Sequence, residues 1–217
     1  MKIKIFCILM VSLISTIPLT VSADDPSKTY FDVGMVYVTD ERLDALKGNG
    51  VTIEDNDTIG YGLLGYNFSP NLSFESGGLS GVNVTASLPT GDFGTLYGKA
   101  YSVSGTVTVE AKTGSPFFFG LKFSGESDPL GINIKAGQLF WDVDYIATGS
   151  GTFTYGGTVY NGSSSAKFKT VNGNDLYFGI GMSYALSNNS SIDLGLISYE
   201  INNSDISGYS LSWVRNF

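Results

Sequence analysis

Residues 176–186 place Leu176, Phe178, Ile180, Met182, Tyr184 and Leu186 on one side of an extended chain. Tyr177, Gly179, Gly181, Ser183 and Ala185 fall on the other. Successive side chains of a strand point to opposite faces, so one face here is large and apolar and the other mostly small. In a soluble sandwich the apolar face meets a core and the opposite face meets water, a task for which such small and mixed faces are poorly suited. In a membrane barrel the apolar face meets lipid, while small and polar residues fill the lumen.

The same alternation recurs along the chain. Phe31, Val33, Met35 and Tyr37 oppose Asp32, Gly34 and Val36; Leu72 and Phe74 oppose Ser73, Glu75 and Gly77. Phe117, Phe119, Leu121 and Phe123 oppose Phe118, Gly120, Lys122 and Ser124, and Ile132, Ile134, Ala136 and Phe140 oppose Asn133, Lys135 and Gly137. Ile192, Leu194 and Leu196 oppose Asp193 and Gly195, and Tyr209, Leu211, Trp213 and Phe217 oppose Ser210, Ser212 and Asn216. Strands are expected over 30–38, 58–68, 72–80, 117–124, 131–145, 175–186, 191–199 and 206–217. Most have the length a tilted strand needs to cross the hydrocarbon layer.

The connectors at 69–71, 125–130 and 187–190 are short, while 39–57, 82–115 and 147–174 are long and rich in Gly, Ser, Thr and Asp. Short turns at one end and long loops at the other is the asymmetry of outer-membrane barrels, with the long loops outside the cell. The expected fold is all-β, a closed antiparallel up-and-down transmembrane barrel of eight strands with both termini in the periplasm. Residues 101–112 also alternate and are read as half of an extracellular hairpin, with 82–88 as its other half. Ten strands result if both enter the membrane instead.

Residues 1–23 carry Lys2 and Lys4, an apolar run and then Val21-Ser22-Ala23, the pattern of an export signal cleaved after Ala23. The domain division is a signal peptide at 1–23 and a barrel at 24–217. The sole cysteine, Cys7, leaves with the signal. Two of the twelve basic residues leave as well while all twenty acids stay, which takes the formal charge from −8 to −10. That balance disfavours nucleic acid as a partner. The 28 glycines, 13 tyrosines and 14 phenylalanines with only 15% charged residues describe a β-rich chain with an unusually apolar and aromatic surface.

Several stretches together resemble the small OmpA/OmpX-like outer-membrane barrel family. They are Tyr30-Phe31-Asp32-Val33-Gly34, the run from Gly60 through Tyr61, Gly62 and Gly65 to Phe68, and Pro70-Asn71 leading to Phe74-Glu75. Phe140-Trp141-Asp142-Val143-Asp144, Asp175-Leu176-Tyr177-Phe178-Gly179-Ile180-Gly181 with Tyr184-Ala185-Leu186, and Ser198-Tyr199-Glu200 complete them. The resemblance spans essentially the whole mature chain. It implies residence among outer-membrane lipid and lipopolysaccharide as a monomer, without a cofactor. It also makes Trp213 and the terminal Phe217 the signal that the barrel-assembly machinery reads. Arg215 departs from the family's apolar or aromatic residue at that place and is expected to snorkel at the periplasmic interface.

Barrel enzymes of this size resemble one another in using histidine, and this chain has none. The expectation is a protein that is not an enzyme, with no catalytic and no metal residues. Strand parity points Asp32, Glu75, Lys122, Lys135 and Asp193 into one lumen, where charges are tolerable only when paired. Two readings follow: a charged plug in a structural or surface-interaction protein, or a gate in a narrow channel for ions or small solutes. The acids Asp40, Glu41, Asp44, Glu54, Asp55 and Asp57 match no calcium-loop spacing and are read as a solvated loop.

Overall fold

The computed structural model describes residues 28–48, 50–127, 129–162 and 165–217. The expected signal segment and its cleavage point at Ala23 lie outside them. In chain order the strands are β1 (Thr29–Asp40), β2 (Thr52–Glu54), β3 (Asn56–Ser69), β4 (Leu72–Leu79), β5 (Asn83–Leu88), β6 (Phe93–Leu96) and β7 (Lys99–Thr113). They continue with β8 (Phe117–Ser127), β9 (Leu130–Tyr155), β10 (Thr158–Gly162), β11 (Ala166–Ser187), β12 (Ser190–Ile201) and β13 (Ser204–Asn216). One 3-10 turn, Asp44–Leu46, lies between β1 and β2.

Eight of these strands close a ring, in the order β1, β3, β4, β8, β9, β11, β12, β13 and back to β1, every pair antiparallel. Closure pairs every strand edge in the ring, which a bilayer demands because hydrocarbon offers backbone groups no hydrogen-bond partner. The termini and the tight β3–β4, β8–β9 and β11–β12 turns share one end, and the Phe217 amide donates to the Thr29 carbonyl there at 2.9 Å.

The alternation sets the faces as the sequence leads one to expect. Met35, Leu64, Phe119, Ile132, Ile180, Leu194 and Leu211 are exposed on the outside, while Asp32, Glu75, Lys122, Asn133, Tyr177 and Asp193 are buried within. A continuous exposed apolar belt of this width belongs against hydrocarbon.

Residues 82–88 and 101–112 do form one hairpin, with Val84 opposite Ala111 and Leu88 opposite Val107. It stands on top of β4 and β8, not beside them. The register runs on unbroken from Gly78 opposite Phe117 to Asn83 opposite Lys112, across interruptions at 80–82 and 114–116. Pro116 and the glycines at 81 and 114 break the ladder without ending the hairpin, so the membrane ring keeps eight strands.

The stretch 147–174, expected as a loop, is mostly strand: β9 runs for 26 residues to Tyr155 and β11 begins at Ala166. At roughly 3.3 Å per residue β9 is about 85 Å of chain, far more than the layer needs. The period-2 pattern continues through the glycines and threonines, with Tyr145, Ala147, Phe153 and Tyr155 buried. The barrel therefore rises beyond the belt as a second storey whose interior is apolar, filled by Val38, Leu43, Leu46, Ile59, Leu88, Leu96 and Ile206.

Candidate functional site: the barrel lumen

From the end that carries the termini, the lumen opens as a vestibule of about 620 Å³ lined by polar groups such as Asn67, Ser73, Lys122, Ser183 and Ser191. Its roof is built of charge. Tyr30 donates its hydroxyl to Glu75 Oε1 at 2.7 Å, and Lys135 Nζ lies 3.3 Å from that same oxygen and 3.3 Å from Asp32 Oδ2. Strands β1 and β9 stand opposite one another in the ring, so Lys135 reaches across the whole bore to meet Asp32. Lys122 Nζ lies 3.5 Å from Asp193 Oδ2, and the Asn133 side chain donates to that oxygen at 3.2 Å.

All five charges singled out from strand parity thus meet inside the barrel, as a Lys135 triad and a Lys122 pair. Asp32 and Glu75 have no exposure, and Asp193 and Lys122 have 6% and 7%. Three carboxylates against two ammoniums leave this layer acidic by one charge. Tyr61 adds a donor to Asp32 at 3.4 Å.

Glycines make the room for these side chains. A Cβ on Gly65 would lie 2.1 Å from the Tyr30 ring, and one on Gly137 would lie 2.6 Å from the Tyr177 ring. Tyr30 can therefore lie flat on the neighbouring strand β3 and point its hydroxyl at Glu75. Above the charges a cavity of about 60 Å³ is bounded by Glu75, Lys135, Tyr177 and the backbone of Gly179, Gly181 and Gly195.

Higher still, the second storey is stoppered by the β1–β2 connection. Arg42, 1% exposed, bonds Asp40 through Nε at 2.7 Å, Thr113 Oγ1 at 2.5 Å and the Val82 carbonyl at 3.1 Å, and it tucks Leu43 and Leu46 into the bore. The Tyr97 hydroxyl donates to the Arg42 carbonyl. Asp40 is thereby removed from the acidic loop, and Asp44 pairs with Lys47 at 2.7 Å. Among the described residues no group of three or more acidic, Cys or His side chains is arranged to hold a metal ion.

Sequence reasoning missed Arg42. Its one signal was Leu43 and Leu46, three apart in an otherwise polar connection. It also missed the storey's inner aromatic lining, which lies in a stretch that reads as loop by composition. There, burial and a hydrogen bond to Asp92 push the Tyr101 hydroxyl up to about 12.

At the seam between first and last strands, Trp213 meets the Phe31 ring edge-on at 5.4 Å and Phe217 stacks on it at 6.0 Å. Arg215 stands opposite Phe31 on the same outward-facing set of positions.

A closed eight-stranded antiparallel ring, apolar outside at mid-height and polar within, defines a transmembrane β-barrel of the outer-membrane type. Solved structures of that type share its fold. OprG from Pseudomonas aeruginosa is similar with a TM-score of 0.53 at 13% identity, over 88% of this chain and 96% of that one. Ail, the attachment invasion locus protein of Yersinia pestis, solved in complex with the heparin analogue sucrose octasulfate, is similar with a TM-score of 0.51 at 10% identity, over 88% and 99%. No protein-family model matches the chain, and no curated protein matches it in sequence.

Proposed function

We propose that this chain is an integral outer-membrane protein of a Gram-negative cell with a shut lumen, whose role is structural or lies in surface contact through its extracellular storey. The observation that carries this reading is the Lys135 triad spanning the bore beneath an apolar stopper. A solute would have to part buried ion pairs and then displace Leu43 and Leu46. Charges buried in a narrow barrel are held in place by the cost of separating them.

Export by residues 1–23 with cleavage after Ala23, insertion by the barrel-assembly machinery reading Trp213 and Phe217, and a monomer among lipid and lipopolysaccharide belong to the same proposal. The absence of histidine and thiol from residues 24–217 supports a role other than catalysis. A second reading, a narrow cation-preferring channel, draws on the vestibule and the one-charge excess of carboxylate above it. In that case the five luminal charges are its gate.

Single-channel recording of the refolded mature chain separates the two, once heat-modifiable migration on a gel has shown a folded barrel. Electrically silent protein is expected. Stable conductance steps would overturn the shut lumen and favour the channel.

A further inference from the structure

In a chain of net charge −8, the described ion pairs engage Arg42, Lys47, Lys122, Lys135 and Lys167. Lys99 and Lys169 form none among the described residues, and both stand in the tall extracellular wall of β7, β9 and β11. Lys169 Nζ sits 3.9 Å from the centre of the Tyr97 ring and 5.2 Å from that of Tyr145; Lys99 Nζ sits 5.7 Å from that of Tyr155. Tyr155 and Tyr145 pack on Phe168 at 4.9 and 6.3 Å, so the two ammoniums flank one patch of rings.

Two backbone irregularities converge on that patch. The register of β11 on β9 slips between Lys167, opposite Ile146, and Lys169, opposite Tyr145. This bulge brings both Phe168 and Lys169 onto the ring cluster, and bulges of this kind re-aim side chains beside binding sites. In the β6–β7 turn, Tyr97 adopts φ 48°, a left-handed conformation rarely given to a residue with a large side chain. That conformation sets its ring under Lys169, one turn away from Lys99.

An ammonium over an aromatic face is favourable, but two on one patch repel. Burial, with Lys99 as a second cause, holds Lys169 below the usual lysine range. An anion received by both ammoniums would relieve the repulsion. A bare anion would need only the lysines. The half-buried rings of Phe168 and Tyr160, 6.0 Å apart, add an apolar face suited to the C–H surface of a sugar.

We propose that Lys99 and Lys169, with Phe168 and Tyr160 beside them, form a binding site for an anionic saccharide, its acidic group received by the ammoniums and a sugar ring laid on the aromatic face. The saccharide has two possible sources with one chemistry, a soluble acidic glycan or the phosphorylated headgroup of an outer-leaflet glycolipid. The site deepens the surface-contact reading and rests on this end facing outward, independently of whether the lumen conducts.

The test uses the full mature barrel refolded in neutral micelles, with lysine side chains followed by NMR. The probes are a chondroitin sulfate disaccharide, its unsulfated counterpart, inorganic sulfate, and micelles doped with monophosphoryl lipid A. Saturable shifts of Lys99 and Lys169 with the sulfated disaccharide are expected, weakened about tenfold by Lys99→Gln or Lys169→Gln. Lys167→Gln, which alters a lysine already paired with Asp144, is expected to change affinity less than about twofold.

No saturation, equal binding of inorganic sulfate, or an equal loss in Lys167→Gln would overturn the site. Competition by the doped micelles supports the glycolipid source; bound disaccharide without competition supports the soluble one. Silent barrels that bind no saccharide would sink this site and leave the shut lumen standing, and conducting barrels that bind would do the reverse.

Discussion

Lys135 carries two carboxylates on one ammonium, 3.3 Å from each, and neither acid has any exposure. Deleting one partner of a buried ion pair costs about 3–5 kcal/mol, because the charge left behind is uncompensated. Lys135→Met is expected to lower the unfolding free energy by about that amount, read from the urea midpoint of the barrel in lipid vesicles by tryptophan fluorescence. Tyr30→Phe removes one charge-assisted hydrogen bond from the same triad and is expected to cost about 1.5–3 kcal/mol. A Lys135→Met midpoint equal to the parent's would mean that the triad does not hold the bore. On the outside of the upper storey the balance is gentler. Hydrogen bonds from Lys167 Nζ at 2.8 Å and Thr170 Oγ1 at 2.6 Å hold the Asp144 carboxyl below its ordinary value of 3.8. Its stabilising contribution is therefore complete above that ordinary value and is lost as pH falls through the lower, folded-state midpoint. Carboxyl NMR should place the Asp144 midpoint below 3.8, and Lys167→Gln should move it upward; a midpoint indifferent to Lys167→Gln would remove the lysine as its cause.

The β12–β13 hairpin turns on Asn202 and Asn203, at φ 52° and 65°. Two left-handed residues make the turn whose twist matches the flanking strands, and asparagine tolerates that conformation less well than glycine does. Asn203→Gly is expected to leave stability equal or slightly higher, whereas Asn203→Val should cost about 1–2 kcal/mol, the penalty of a left-handed conformation. Equal unfolding midpoints for the two variants would show that the turn relaxes. Elements of this kind mark what was legible in the sequence. Period-2 alternation located all eight ring strands, and parity alone sent Asp32, Glu75, Lys122, Lys135 and Asp193 inward. It did not say that Lys135 would meet Asp32 and Glu75 while Lys122 took Asp193. Those contacts cross the bore between strands that are not neighbours, so they depend on how the register staggers around the whole ring. The upper reaches of β9 and β11 were illegible for another reason: they are written in glycine, serine and threonine, the residues of turns, and only the intervening Phe153 and Tyr155 betray them, whereas the alternation of 82–88 and 101–112 marks their hairpin. Phe168 was beyond reach altogether. Counting back from Phe178 puts it on the outward face, and the bulge at Lys167 and Lys169 reverses that parity.

At the scale of the molecule, one continuous wall of strands passes through two environments, and its apolar residues serve opposite purposes in each. In the upper storey they face inward, as in a soluble barrel; lower down they face outward, and charge fills the interior. Surface apolar residues are therefore not equivalent, and a single substitution distinguishes them. Ile180 on β11 is 53% exposed, stands opposite Leu196 and Ile134 on its two neighbouring strands, and lies within the apolar belt. Phe93 on β6 is 79% exposed at the tip of the upper storey, far from the belt. If the belt sits in hydrocarbon, arginine at 180 should cost about 2–4 kcal/mol, since a charge on the lipid face near mid-bilayer must be carried out of water. Phe93→Arg should change stability by no more than about 0.5 kcal/mol, as an ordinary surface substitution does. Both are measured as urea unfolding in vesicles against the parent barrel. A soluble protein with these exposures would treat the two arginines alike, so equal midpoints for Ile180→Arg and Phe93→Arg would contradict the membrane ring itself, while a large cost confined to Ile180→Arg is what the arrangement of faces requires.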